Sequence, residues 1–257
     1  MEARVVGVDI GSVARGRFAW AAIDAPAPSL AGQGSDPETA VQTLAERLAA
    51  GGRAALVLEA PMSVPVPAAD RADGWAALGR ARTGEGNRAW SAGAGAGALA
   101  TGIAQAGWLL ARLAGTVPGV RATTRPDRWA APHGPRLLLA EALVSGAGKP
   151  VPTAGDPHAA DAEAAARALA GRLPGLPRIA TDVECAPHGS LNLLAAAALW
   201  AGMDLPADEL RTDVLVLRAR PARTQPRESG GRATGDGPER TYRSQPPLPI
   251  RSIVPDS

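Results

Sequence analysis

With 257 residues and 46% hydrophobic content the chain can bury one substantial core, built mostly of Ala, Leu and Val because aromatic residues make up only 3%. A single cysteine, Cys185, excludes an internal disulfide and fits a reducing compartment; no basic-then-apolar leader and no apolar run near the ~20 residues that cross a bilayer is evident, so a cytoplasmic protein without membrane attachment is expected. The net charge of +2 is unevenly divided: residues 218–257 carry +4 and the rest about −2, so the body's overall charge does not display the strongly basic face of many nucleic-acid binders.

Residues 4–9 read as a buried strand, and 16–24 (GRFAWAAID) as a second strand joined to it through a glycine-bounded turn at 11–16. A helix follows over 36–51, with Asp36 as N-cap, Pro37 at its first position and glycine at its end. Residues 53–61 (RAALVLEAP) are a third strand, and 79–97 form a polar, glycine-rich ordered loop. Beyond it the pattern predicts a helix at 98–114, a short strand at 120–124, a helix near 135–145 and a helix at 156–171 that again opens on Asp-Pro. Strands at 178–184 and 212–219 flank a helix at 190–202 with Ser190 as its cap. From about Arg220 the chain turns to Pro, Arg, Ser and Gly without apolar periodicity, and a disordered tail over 220–257 is expected to follow a domain over 1–219. The whole is expected to be α/β.

Three acids stand in expensive places: Asp9 inside the apolar stretch VVGVDIGS, Glu59 at the end of another apolar strand, and Asp161 on the first turns of an alanine-rich helix. A buried carboxylate needs a partner or must take up a proton. If the strands bearing Asp9 and Glu59 are sheet neighbours, a helix packed on the sheet can bring Asp161 to them, and a divalent cation is the ordinary way to offset three converging negative charges. Oxygen-only ligation suits Mg²⁺ or Mn²⁺. His158, three residues before Asp161, shares its helical face. Blander readings stand beside these: Asp9 in an Asp-x-Gly turn, Glu59 at a solvated strand end, Asp161 as an acid favoured by the helix dipole, His158 simply exposed.

VVGVDIGS with GRFAWAAID, then LVLEAP, then HAADAEAAARAL resemble the signature segments of the ribonuclease H-like superfamily, most closely the RuvC-type resolvases and allied predicted nucleases. That pattern has an Asp on the first strand, a Glu ending the fourth and a His-x-x-Asp pair on a late helix. The resemblance implies a ribonuclease H-like mixed sheet flanked by helices, with Asp9, Glu59 and Asp161 as metal ligands and His158 as a fourth catalytic residue. It also implies metal-dependent hydrolysis of nucleic acid, DNA or RNA, in which two Mg²⁺ ions activate a water and stabilise the leaving oxygen. Arg71, Arg82, Glu85 and Arg88, in or just before the glycine-rich loop, would meet the substrate, with a solvated surface as the alternative.

Two other classes stay open: an ATP-binding protein of the sugar-kinase and actin-like group, whose first phosphate loop resembles DIGS, and a non-catalytic member of the superfamily acting as a binding module. The apolar surface of the 98–114 helix offers a homodimer interface. SGAGKP at 145–150 is not a phosphate loop, since Leu143 stands where the pattern needs glycine and Pro150 where it needs Ser or Thr. Cys185 and His188 have zinc-like spacing but no second ligand pair.

Overall fold

A computed structural model describes residues 1–67, 74–86, 89–145, 148–150 and 156–220. The expected tail beyond Arg220, and the positions of Arg71 and Arg88, lie outside these.

The first strand, β1 (Ala3–Asp9), pairs antiparallel with β2 (Ala19–Ala25), which pairs antiparallel with β3 (Ser29–Gly34). On its other side β1 runs parallel to β4 (Arg53–Glu59), and β4 runs parallel to β7 (Leu137–Leu143). The short strands β6 (Ala122–Thr123) and β9 (Val216–Arg218) share the far side of β7, one near each of its ends, to complete a seven-stranded mixed sheet. A separate ribbon joins β5 (Ser63–Val66) to β8 (Gly189–Asn192).

Alternation along the strands gives the sheet two apolar faces. Val6 and Val8 of β1 with Leu56 and Leu58 of β4 face α1 (Pro37–Ala49), α2 (Gly93–Thr116) and α5 (Leu193–Trp200). Val5, Ala55, Val57 and Leu138 face α4 (Pro157–Ala170) and Trp129 of the short α3 (Pro126–Ala130). Helix α1 starts where Asp36 accepts hydrogen bonds from the amides of Glu38 and Thr39, both at 3.2 Å, with Pro37 supplying a preset φ.

Several expected elements are different in the structure. The segment near 135–145, read as a helix from its Leu, Ala and Glu, is the interior strand β7, buried at every position. Between β4 on one side and β6 and β9 on the other, with both faces covered, a continuous apolar run is what a strand requires, and this placement overrides local propensity. Strand β3 was not expected because its sequence, SLAGQG, carries almost no apolar signal; Gly32 and Gly34 instead lay bare backbone over the Trp20 ring, where an added Cβ would stand 3.3 and 3.1 Å from it. Residues 178–184 form no strand, only a bridge from Glu184 to Thr83. The 190–202 segment divides into the end of β8 and α5, and the cap is Asn192, whose side chain accepts from the Ala195 amide at 2.9 Å, rather than Ser190. Helix α2, at 24 residues with a mean hydropathy of 1.2 in its most apolar window, is long and apolar enough to cross a bilayer by length and composition, against the expectation of no such run. Its Ala106, Leu109, Leu110 and Leu113 are buried in the core.

Candidate metal centre

The parallel pairing of β1 and β4 puts Asp9 directly beside Glu59, the last residue of each strand. Both follow the alternation to the face covered by α4. Helix α4 can approach because β1 has glycine at position 7: a Cβ there would stand 2.2 Å from the Ala162 carbonyl oxygen and 2.6 Å from the Ala166 nitrogen. The helix therefore lies against the strand's backbone, and its orientation is fixed by its start. Asp156 caps it, accepting a hydrogen bond from the His158 amide at 3.0 Å, and Pro157 follows at the first helical position. One turn on, Asp161 reaches the ends of β1 and β4.

Oxygen atoms of Asp9, Glu59 and Asp161 lie within 4.8 Å of one another. Asp9 is 8% exposed and Asp161 6%, while Glu59 is intermediate. Nδ1 of His158 is 2.6 Å from Asp9 Oδ2, a short hydrogen bond that ties the carboxylate to the start of α4. Burial pushes the Asp9 carboxyl above its ordinary range; the bond and charge of His158 and a hydrogen bond with Glu59 pull the other way, and the Asp161 charge adds to the rise. The Asp-x-Gly alternative is not what the structure contains, for among the described residues the partners of the Asp9 carboxylate come from Glu59 and α4 and not from its own turn.

The donors fit a hard divalent cation: all are carboxylate oxygens, close enough to share one ion, from three separately anchored elements. Two basic groups border them. One is His158; the other, which sequence reasoning did not assign, is Lys149, whose Nζ is 3.1 Å from Asp161 Oδ2. Its only signal was that it is the one lysine in a chain that otherwise uses arginine. Its side chain is about half exposed, so its flexible stem can leave Asp161.

Arg82 and Glu85, expected to face substrate, are instead built into the core. Arg82 is 3% exposed, and its guanidinium donates to Glu85 Oε1 at 2.9 Å, to both oxygens of Glu141 at 2.7 Å and to Ser63 Oγ at 3.1 Å. Glu141 also accepts from the Met62 amide, and Glu85 from the amides of Arg82 and Trp90. Their hydrogen-bonding groups are spent on one another, which leaves nothing to offer a ligand. Glu141 lies near the carboxyl end of β7, yet the alternation sends it to the face opposite Asp9 and Glu59, so it does not join the carboxylate cluster. What this network does is fasten residues 82–85 and Trp90 to the interior strand β7. Thr83 extends the fastening by exchanging backbone hydrogen bonds with Glu184.

Cys185 is buried, and burial pushes its thiol up to about 11, which suits an inert packing residue. Comparison with protein-family models, with curated proteins and with solved structures gives no match for this chain.

Proposed function

We propose that this protein is a metal-dependent nuclease of the ribonuclease H-like kind, hydrolysing phosphodiester bonds of DNA or RNA. The observation that carries the reading is the convergence of Asp9, Glu59 and Asp161, from two neighbouring parallel strands and a helix, with oxygens within 4.8 Å. The sequence pattern supports it in a way that depends on the fold: with β3 present, the strand ending in Glu59 is the fourth, as in the superfamily pattern, and His158 and Asp161 share the first turns of a late helix.

Asp9, Glu59 and Asp161 would hold Mg²⁺ or Mn²⁺, and the bound cation would supply Lewis-acid activation of a water and charge neutralisation at the phosphate. The protein's own residues have distinct tasks. His158 holds a proton at Asp9 Oδ2 and keeps that carboxylate oriented. Lys149 balances Asp161 and, being partly exposed, can turn to a phosphate oxygen of the substrate.

A second reading, a non-catalytic binding module, is favoured by the same lysine. Lys149 already offsets part of the carboxylate charge without any ion. Calorimetric titration of Mn²⁺ into the wild type and Asp9→Asn, with cleavage of labelled single-stranded, duplex and junction substrates alongside, separates the two. The nuclease reading expects Mn²⁺ binding and cleavage that both vanish in the variant. Absence of Mn²⁺ binding in the wild type would leave the module.

A further inference from the structure

At the opposite end of the sheet from the carboxylates, three arginines and a histidine line a cavity of about 630 Å³. Arg53 begins β4 and Glu59 ends it, so the cavity and the acid cluster are roughly 20 Å apart along one strand. The walls come from the C-terminal end of α1, the turn between α2 and β6, and the loop before β7, and no carboxylate is among the lining residues.

The arginines are held in different ways. Arg53 donates to the carbonyls of Trp129, Pro135 and Ala131, which are neutral acceptors, so these partners bring no negative charge to offset it. Arg121 donates to the His133 carbonyl at 3.2 Å and has one carboxylate partner, Asp204 at 3.3 Å, in a pair exposed at both ends and therefore weak. Arg136 has its backbone carbonyl engaged by the Ala54 amide and the Trp129 indole, while its guanidinium has no hydrogen bond or ion pair among the described residues. Arg53 and Arg136 are close enough that the second charge, after burial, depresses ionisation of the first. Like charges on a concave surface are the arrangement that concentrates anions. Leu48 and Val117 add an apolar wall beside the guanidinium groups.

We propose that this cavity binds a phosphate-bearing anion of nucleotide size, with Arg136 and Arg121 taking the phosphate oxygens, Arg53 supplying fixed positive charge and the Leu48–Val117 side receiving the organic part. Forked guanidinium donors match phosphate geometry, and the volume falls in the range of small-molecule sites. The proposal does not rest on the carboxylate cluster. The same chemistry is presented by a free nucleotide and by the phosphorylated end of a nucleic-acid strand.

The test is calorimetric titration of the full chain in EDTA, which takes the carboxylate site out of play, with inorganic pyrophosphate, ADP, and an oligonucleotide carrying either a 5′-phosphate or a 5′-hydroxyl. Pyrophosphate and ADP should bind the wild type, and Arg136→Gln and Arg121→Gln should each weaken them at least about tenfold, as loss of a charged hydrogen bond does. The exposed Arg112→Gln should leave them unchanged. Arg136→Gln removes a side chain without a partner among the described residues, and thermal melts of both cavity variants verify folding. Preference for the 5′-phosphorylated strand, lost in Arg136→Gln, would identify a strand end as the source; binding of pyrophosphate and ADP but of neither oligonucleotide would identify a free nucleotide. No pyrophosphate binding at millimolar concentration, or equal affinities for Arg136→Gln and Arg112→Gln, would overturn the proposal.

Discussion

At the scale of single residues, the buried Arg82 network and the buried Asp9 cluster differ in how they are satisfied. Arg82 lies between Glu85 and Glu141 with excellent geometry, yet two carboxylates face one guanidinium, and burial raises the Glu141 carboxyl above its ordinary range. Such a group is costly chiefly when broken. Replacing Arg82 with Met should strand two buried acids and lower unfolding stability by about 3–5 kcal/mol. Urea denaturation would register this as a fall in midpoint at unchanged slope, and Glu141→Gln in the Arg82→Met background should recover part of the loss. A negligible effect would mean that the loop leaves its seat at little cost. Legibility in the sequence follows the same division. Asp9 and Glu59 are anomalous where they stand, acids in or ending apolar strands, so their places are readable without a fold. Glu141 is not anomalous in LLLAEAL, which reads as helix, and so neither its partner Arg82 nor the role of Glu85 could be inferred.

At the scale of elements, the contact of α4 with β1 decides whether Asp161 belongs to the site. The sequence made the helix plain through Asp156, Pro157 and the alanine run, but the reason it lies so close is Gly7, an unremarkable residue in a strand until the Ala162 carbonyl is found over it. Gly7→Ala should push α4 off the strand, cost about 1–3 kcal/mol as overpacking does, and displace Asp161 from Asp9. Melts and Mn²⁺ titration should therefore both suffer, affinity by at least about tenfold, since every ligand distance to that helix changes. Gly97→Ala in α2, where nothing lies within 4 Å of the added Cβ, is the contrasting variant. It should raise stability by about 0.4–1 kcal/mol through the unfolded chain and leave Mn²⁺ affinity unchanged. Equal Mn²⁺ affinity in the two variants would show that α4 does not carry a ligand.

At the scale of the whole molecule, charge is arranged along the sheet, with carboxylates where the parallel strands β1 and β4 end and arginines where β4 begins. Concentrated negative charge links stability to pH and to metal. Burial raises the Asp9 carboxyl in the folded state, with the Asp161 charge adding to it against the pull of His158 and Glu59, so the folded protein holds that proton more tightly than the unfolded chain. The stabilisation is present in full below the ordinary carboxylate range and is lost as pH rises through the elevated value. In EDTA the melting temperature of the wild type should therefore fall, as far as Asp9 contributes, as pH climbs from that range toward neutrality, and Asp9→Asn should flatten that part of the profile. A cation needs the ionised form, so Mn²⁺ should act in the opposite sense, stabilising increasingly as pH rises. At a hundredfold excess over its dissociation constant it should add about 2.7 kcal/mol, or ~5–10 °C for a protein of this size. Asp9→Asn should lose that increment while melting no lower than wild type at neutral pH in EDTA, because the substitution removes a charge that the empty site opposes. A variant that is less stable than wild type in EDTA and still shifted by Mn²⁺ would contradict both halves of the argument, and would make Asp9 a structural partner of His158 instead of the residue around which a metal centre is built.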